Sequence, residues 1–253
     1  MTNDEKKAPP PQPRIVGEGD NGLDVMVYRE TLAALGFVPK ADRGQFGAGM
    51  LTGVLAFQRQ SGITQTGTIG NRTYQRLYPH IGPAGRRSLK TVARRWAVRD
   101  KMVAEQEWGL GNADKIHYPP HDDRAPGETA AAIERWQEHE LPIMLDCSEY
   151  ATCIAAAAGA QDPTKTGWGA KGSVYTGTML TGCREIQKNQ LKPGDFVVFG
   201  PGTGEHTCVV LSVEDPDEPL LTSHGQDIGP IRITLTEESH FHDEPVRFLA
   251  AVK

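Results

Sequence analysis

Cys147 is the residue whose surroundings offer the most chemistry. It follows Asp146, a good helix N-cap, and opens an alanine-rich run that stops at Gly159, which predicts a helix over 146–158. In the first turn of such a helix, unpaired backbone N–H groups and the positive end of the dipole stabilise a thiolate, the nucleophilic form of cysteine. The same N–H groups can serve an oxyanion hole. A nucleophilic cysteine also needs a base that takes its proton and later returns it to the leaving group. His206 follows the turn Gly200-Pro-Gly-Thr-Gly204 and opens a strand pattern, and His224 closes the next one, Leu221-Thr-Ser-His-Gly225. Hairpin pairing about a turn near Pro216 brings the two histidines to one open end, within about three positions of opposite. That suits His206 as base and His224 as the polar residue that orients its ring.

The remaining reactive types have plainer readings. Cys153, Cys183 and Cys208 show no C-x₂-C spacing and read as small packing residues. His240 and His242 alternate on a possible strand without a third ligand nearby, so no metal site is expected. Asp195 is expected to stabilise the turn after Gly194. No cofactor is called for.

These side chains must be held by an α+β domain. Strands are predicted at 195–199, 206–213, 219–223, 231–235 and 246–252, separated by Pro193-Gly194, Pro201-Gly202 and the acidic turn 214–219. A helix followed by strands with hairpin-length connections implies an antiparallel sheet. Ahead of it, 113–140 reads as a Pro-, Asp- and His-rich loop and a short helix at 130–138. Residues 81–112 form a basic helix with Arg86, Arg87, Lys90, Arg94, Arg95, Arg99 and Lys101, read as a solvated face. Residues 1–16, with Pro9, Pro10, Pro11 and Pro13, read as a disordered arm.

Residues 17–80 carry a helical pattern. Val25, Tyr28, Leu32 and Leu35 recur at helical spacing before Gly36, Leu51, Val54, Leu55 and Phe57 mark a second helix, and Tyr74 and Leu77 a third. The ordered pieces Gly22-Leu-Asp-Val25, Val54-Leu-Ala-Phe57-Gln58, Thr66-Gly67-Thr-Ile69 and Thr73…Leu77 resemble the three-helix peptidoglycan-binding domain found beside many wall hydrolases. Most of these positions are core or turn residues, and so speak for fold.

The second half carries a resemblance of its own. Asp146-Cys147-Ser148 at a helix start, Pro193-Gly194-Asp195 leading a strand towards Glu205-His206, and His224 on the next strand together resemble the NlpC-like family of cell-wall cysteine peptidases, which share a papain-like core. Ser223-His224-Gly225…Gly229-Pro230 and Ile116-His-Tyr118 resemble the forms in endolysins of phages that infect actinobacteria. The resemblance covers 113–253 and implies cleavage of a peptidoglycan stem, often between D-glutamate and a diamino acid. Cys147 would be the nucleophile, His206 base then acid, and His224 the orienting residue. It also implies that Tyr118 and Asp146 hold the stem's free amine, with Ser148 in the same pocket. Two positions depart from the pattern: Tyr118 lies farther from the cysteine than usual, and Glu149 stands where glycine is common.

Bulk properties narrow the classes. A net charge of −5 argues against a nucleic-acid binder. The longest apolar run, near Ile154–Ala158, falls far short of the roughly 20 residues a membrane span needs. The N-terminal residues lack the apolar core of a secretory signal. The expectation is an endolysin-type enzyme made in the host bacterial cytoplasm, which acts at the wall after release by a separate holin-type factor. Other readings are a catalytically inactive wall-binding or phage structural protein, a sugar–peptide amidase, and an interbacterial toxin using the same cysteine chemistry.

Overall fold

The computed structural model describes residues 9–38, 45–119, 127–225 and 229–252. The chain divides into two compact units, 1–97 and 98–253.

The first unit is built on α1 (Leu23–Ala34), α2 (Ala48–Gln60) and α3 (Asn71–Leu77), with the opening half of α4 (Pro83–Gly111). Gly36, at φ 82°, turns the chain out of α1 as a left-handed residue should. Val25, Tyr28, Leu32, Met50, Val54, Phe57, Tyr74 and Leu77 are buried together in one core. Gln58 explains why the segment reads Phe-Gln, Thr-Gly, Thr. Its buried amide nitrogen donates to Thr66 Oγ1 (3.0 Å), the Thr68 carbonyl (2.8 Å) and Thr73 Oγ1 (2.9 Å), while its oxygen accepts from the Gly67 N–H (3.1 Å). Gly67 stands at φ 73°, and a Cβ there would lie 2.6 Å from Leu51 Cδ1.

The expected arm is corrected over 9–16. Val16 is fully buried and pairs with Ile69, and Arg14 bridges Asp20 (2.5 Å) and Asp24 (2.8 Å), so these residues belong to the fold. Apolar burial of a single valine and a two-carboxylate clamp outweigh the proline content. Residues 1–8 lie outside the described residues.

The second unit is α+β. Its strands β3 (Arg184–Ile186), β4 (Phe196–Phe199), β5 (His206–Ser212), β6 (Leu220–Ser223), β7 (Ile231–Thr234) and β8 (Arg247–Ala250) form an antiparallel sheet in the order β3-β8-β4-β5-β6-β7. A parallel pair, β1 (Ile116–His117) with β2 (Ile143–Met144), stands apart. One sheet face presents Phe196, Val198, Val209 and Leu249 to α5 (Glu128–Gln137), α6 (Cys147–Ala157) and Met102 of α4. The other presents Val197, Phe199, Cys208, Val210 and Leu221 to Leu235 of α8 (Leu235–Ser239) and to Ile186 and Leu191. Both faces are covered, which is why β4 reads as the unbroken apolar run Phe-Val-Val-Phe.

Most predicted strands recur within a residue or two. Edge strand β3 and helices α7 (Thr176–Gly182) and α8 were not expected. Leu235, expected to end a strand, instead begins α8. Thr234 caps that helix and Glu237 reaches back to the Thr234 N–H (2.9 Å). Arg99 is the exception to the solvated basic face: it is buried against Asp195, 2.9 Å away. Asp195 also accepts from the N–H groups of Lys192 and Ala251, both at 3.0 Å, which fixes the turn as expected.

Candidate active site

The start of α6 is fixed by side chains before it can do anything else. Asp146 caps it, accepting from the Glu149 N–H (2.8 Å), and Glu149 accepts in return from the Asp146 N–H (3.1 Å). The other Glu149 oxygen accepts from the Thr129 hydroxyl (2.7 Å) of α5. Glu149 thus locks the first turn to the neighbouring helix. Ser148 donates to Asp146 (2.7 Å) and, at 3.4 Å, to the Val174 carbonyl. Cys147 sits between them at the first helical position, 8% exposed, against complete burial for Cys153 and Cys208.

His206 is the histidine that Cys147 reaches. Its Nε2 lies 2.9 Å from Glu238 Oε1 and 2.9 Å from Ser223 Oγ, and the Ser223 hydroxyl donates to the same carboxylate oxygen (2.9 Å). A carboxylate only accepts, so the Nε2 nitrogen carries the proton. The neutral ring therefore keeps its lone pair on Nδ1, the nitrogen left for the thiol's proton. Burial works against the charged imidazole, but contacts from Cys208, Cys147 and Glu238 outweigh it and hold His206 well above the usual histidine range. Glu238 responds oppositely: burial pushes it up, while bonds to His206 and Ser223 and the charges of His206 and His242 bring it down to about 2. His242 stacks on His206, with ring centroids 4.6 Å apart and planes 10° apart, and its Nε2 lies 3.3 Å from Glu238 Oε1.

His224 is not brought to His206, which corrects its expected orienting role. The register pairs Cys208 with Ser223 and Val209 with Thr222. Side chains alternate, so His206 shares a face with Cys208 and Ser223, whereas His224 falls on the face of Thr222 and Val209. There the His224 Nε2–H donates to the Leu145 carbonyl (2.8 Å), and its buried Nδ1 has no partner among the described residues. Burial holds it below the usual histidine range. Its ring lies 5.5 Å from Tyr150 and 6.0 Å from Tyr118. Tyr118 therefore does come close to the segment preceding Cys147, by way of His224, and the Asp146 charge also acts on that histidine.

The arrangement lines up a thiol, an imidazole and a carboxylate as Cys147, His206 and Glu238, with Ser223 bracing the last two, and these groups could act as nucleophile, base and orienting residue. Glu238, Ser223 and His242 escaped sequence reasoning. The signal was present for Glu238: Thr234-Leu-Thr-Glu237 has the T-x-x-E form that opens a helix and would have turned the next residue inward.

Residues 21–77 match a family model described as a peptidoglycan binding domain. No curated protein matches the chain. The N-terminal helices are thus a peptidoglycan-binding domain, and peptidoglycan is the partner it points to. Among the described residues no helix is long and apolar enough to cross a membrane.

Proposed function

We propose that the unit following the peptidoglycan-binding domain is an NlpC-like cysteine hydrolase of papain-like fold that cuts the polymer to which the first domain attaches. The single observation that carries this reading is the buried chain from Cys147 at a helix start, through His206, to the ionised Glu238. The chemistry follows from those positions. The Cys147 thiolate attacks an amide carbon and forms an S–C bond, while first-turn N–H groups of α6 receive the developing oxyanion. The His206 imidazolium then protonates the leaving nitrogen as the C–N bond breaks. Water, deprotonated by His206, attacks the acyl-enzyme and releases the acid and the free thiol. Glu238 keeps the ring aligned and its charge balanced throughout, the role usually given to the third member of such a triad.

The bond cut is the stem amide between D-glutamate and a diamino acid. Tyr118, His224 and Asp146, gathered before the start of α6, would hold the diamino acid's free amine. Asp146 and Ser148 already bond within the helix start, so this pocket draws on the side of Asp146 that the cap leaves over. The physiological role in this reading is that of an endolysin, made in a phage-infected bacterium and released to the wall by a separate holin-type factor.

Mass spectrometry of purified peptidoglycan digested by wild type and by Cys147→Ala tests the reading. New amine and acid termini produced by the wild type alone are expected, and they identify the bond. Absence of new termini across several wall types, with wall binding intact, would replace it with a binding-only protein.

A further inference from the structure

Four side chains converge on one buried carboxylate oxygen beneath the sheet. Glu238 Oε1 lies 2.9 Å from His206 Nε2, 2.9 Å from Ser223 Oγ, 3.3 Å from His242 Nε2 and 3.5 Å from Cys208 Sγ. The donor atoms of His206, Cys208 and Glu238 all lie within 4.8 Å of one another, and all three residues are buried. Ser223 and His206 suffice to satisfy the carboxylate. A thiol is a weak hydrogen-bond donor, so its place here adds little to a proton network. Imidazole, thiolate and carboxylate are, however, the three donor types that zinc takes.

The distances to the shared oxygen are close to those of a coordination shell. Tetrahedral zinc, with bonds of roughly 2.0–2.3 Å, sets its ligand atoms about 3.3–3.6 Å apart. The separations from the shared oxygen, 2.9 Å for His206 and 3.5 Å for Cys208, need only sub-ångström adjustment, and the His206–Cys208 pair, within 4.8 Å, must draw in by up to about 1 Å. We propose that His206, Cys208 and Glu238 form a site for a thiophilic divalent cation, zinc in the first instance. The ion replaces the Cys208 thiol proton and the His206 Nε2 proton, both of which pass to solvent. His242, whose side chain is 22% exposed, is the solvent-facing neighbour and supplies the fourth ligand by tilting out of its stack, or leaves that position to water.

The consequence for catalysis rests on the hydrolase reading; the binding does not. A neutral imidazole bound to metal through Nε2 carries its one proton on Nδ1, so it cannot take another from Cys147. Cation binding therefore switches the base off.

The test titrates untagged full-length protein with ZnCl₂ by calorimetry, and with Co²⁺ by its thiolate-to-metal absorption. One ion per chain is expected, with affinity weakened at least about tenfold in Cys208→Ser and in Glu238→Gln, each checked for wild-type unfolding. Cys147→Ala should retain both the binding and the absorption band. Absence of zinc binding by the wild type, or unchanged binding in both ligand variants, would overturn the site. On peptidoglycan, zinc should suppress cleavage by the wild type and spare Cys208→Ser. A wild type that cuts no peptidoglycan sinks the hydrolase reading alone, since calorimetry decides the site without turnover.

Discussion

Glu238→Gln separates the orienting carboxylate from the alternative that His224 does this work. The substitution keeps the shape and the contact to Ser223 but removes the charge that sits 2.9 Å from His206 Nε2. A hydrogen bond to a charged partner contributes about 1.5–3 kcal/mol, against about half that for a neutral one. Exchanging the charged bond for a neutral one removes about half of it, which moves the proton affinity of His206 down by roughly half a pH unit to one unit, since one unit is about 1.36 kcal/mol. The charged form of His206, which in the proposed mechanism supports a nucleophilic Cys147, is then correspondingly scarcer near neutral pH. Iodoacetamide alkylation, followed at the Cys147 peptide by mass spectrometry across pH 5–9, reads this directly and needs no substrate. Alkylation near pH 6 should slow roughly threefold to tenfold and its profile should move to higher pH. A Glu238→Gln profile that overlays the wild type, with His224→Ala producing the shift instead, would refute the assignment.

Three further outcomes follow from other parts of the fold. Gln58→Met preserves volume but orphans the buried Gly67 N–H and leaves the Thr68 carbonyl to the two threonines, so urea unfolding of the first unit should show a loss of roughly 2–4 kcal/mol; a loss below about 0.5 kcal/mol would show the amide to be dispensable. Glu149→Gly removes the reciprocal cap and the Thr129 bond together and should cost about 1–3 kcal/mol in thermal unfolding, with altered alkylation at Cys147. Asp162 is pushed up by burial, but bonds from Thr164 and from the N–H groups of Trp168, Thr164 and Gly167 outweigh this and hold it below the usual 3.8. Its stabilising effect is therefore complete above pH 3.8 and is lost as pH falls through its depressed folded value, so the gap between wild type and Asp162→Asn in acid unfolding should close over that window.

Elements whose signals are local were legible in the sequence. Asp146 and Gly159 bracket α6 within a residue, and the apolar strand runs and their Pro-Gly turns locate β4 to β8. What failed depends on long-range registration. His206 and His224 were correctly placed at neighbouring strand ends, but whether they share a face turns on one residue of register, which pattern and loop length leave undetermined. The short elements β3, α7 and α8 offer too few residues for a period to show. Glu238 was hidden for a related reason: the alternating stretch through Leu235 reads as strand, and the Thr234–Glu237 cap breaks it one residue earlier than hydropathy suggests. Over 9–16, composition suggested disorder while one buried valine and one arginine decided for order.

The two-sided burial of the sheet makes it a partition. On one side a histidine is paired with a carboxylate and held well above the usual histidine range; on the other, one strand away, burial holds a second below that range, with a nitrogen that has no partner among the described residues. A single hairpin thus hosts two imidazoles of opposite character, insulated by the backbone between them. Changes on one side should add to changes on the other, while changes within one side interact, because the shared partners lie on the same face. Substitutions confined to the His224 side should therefore leave the hydrogen bonds between His206, Ser223 and Glu238 unchanged.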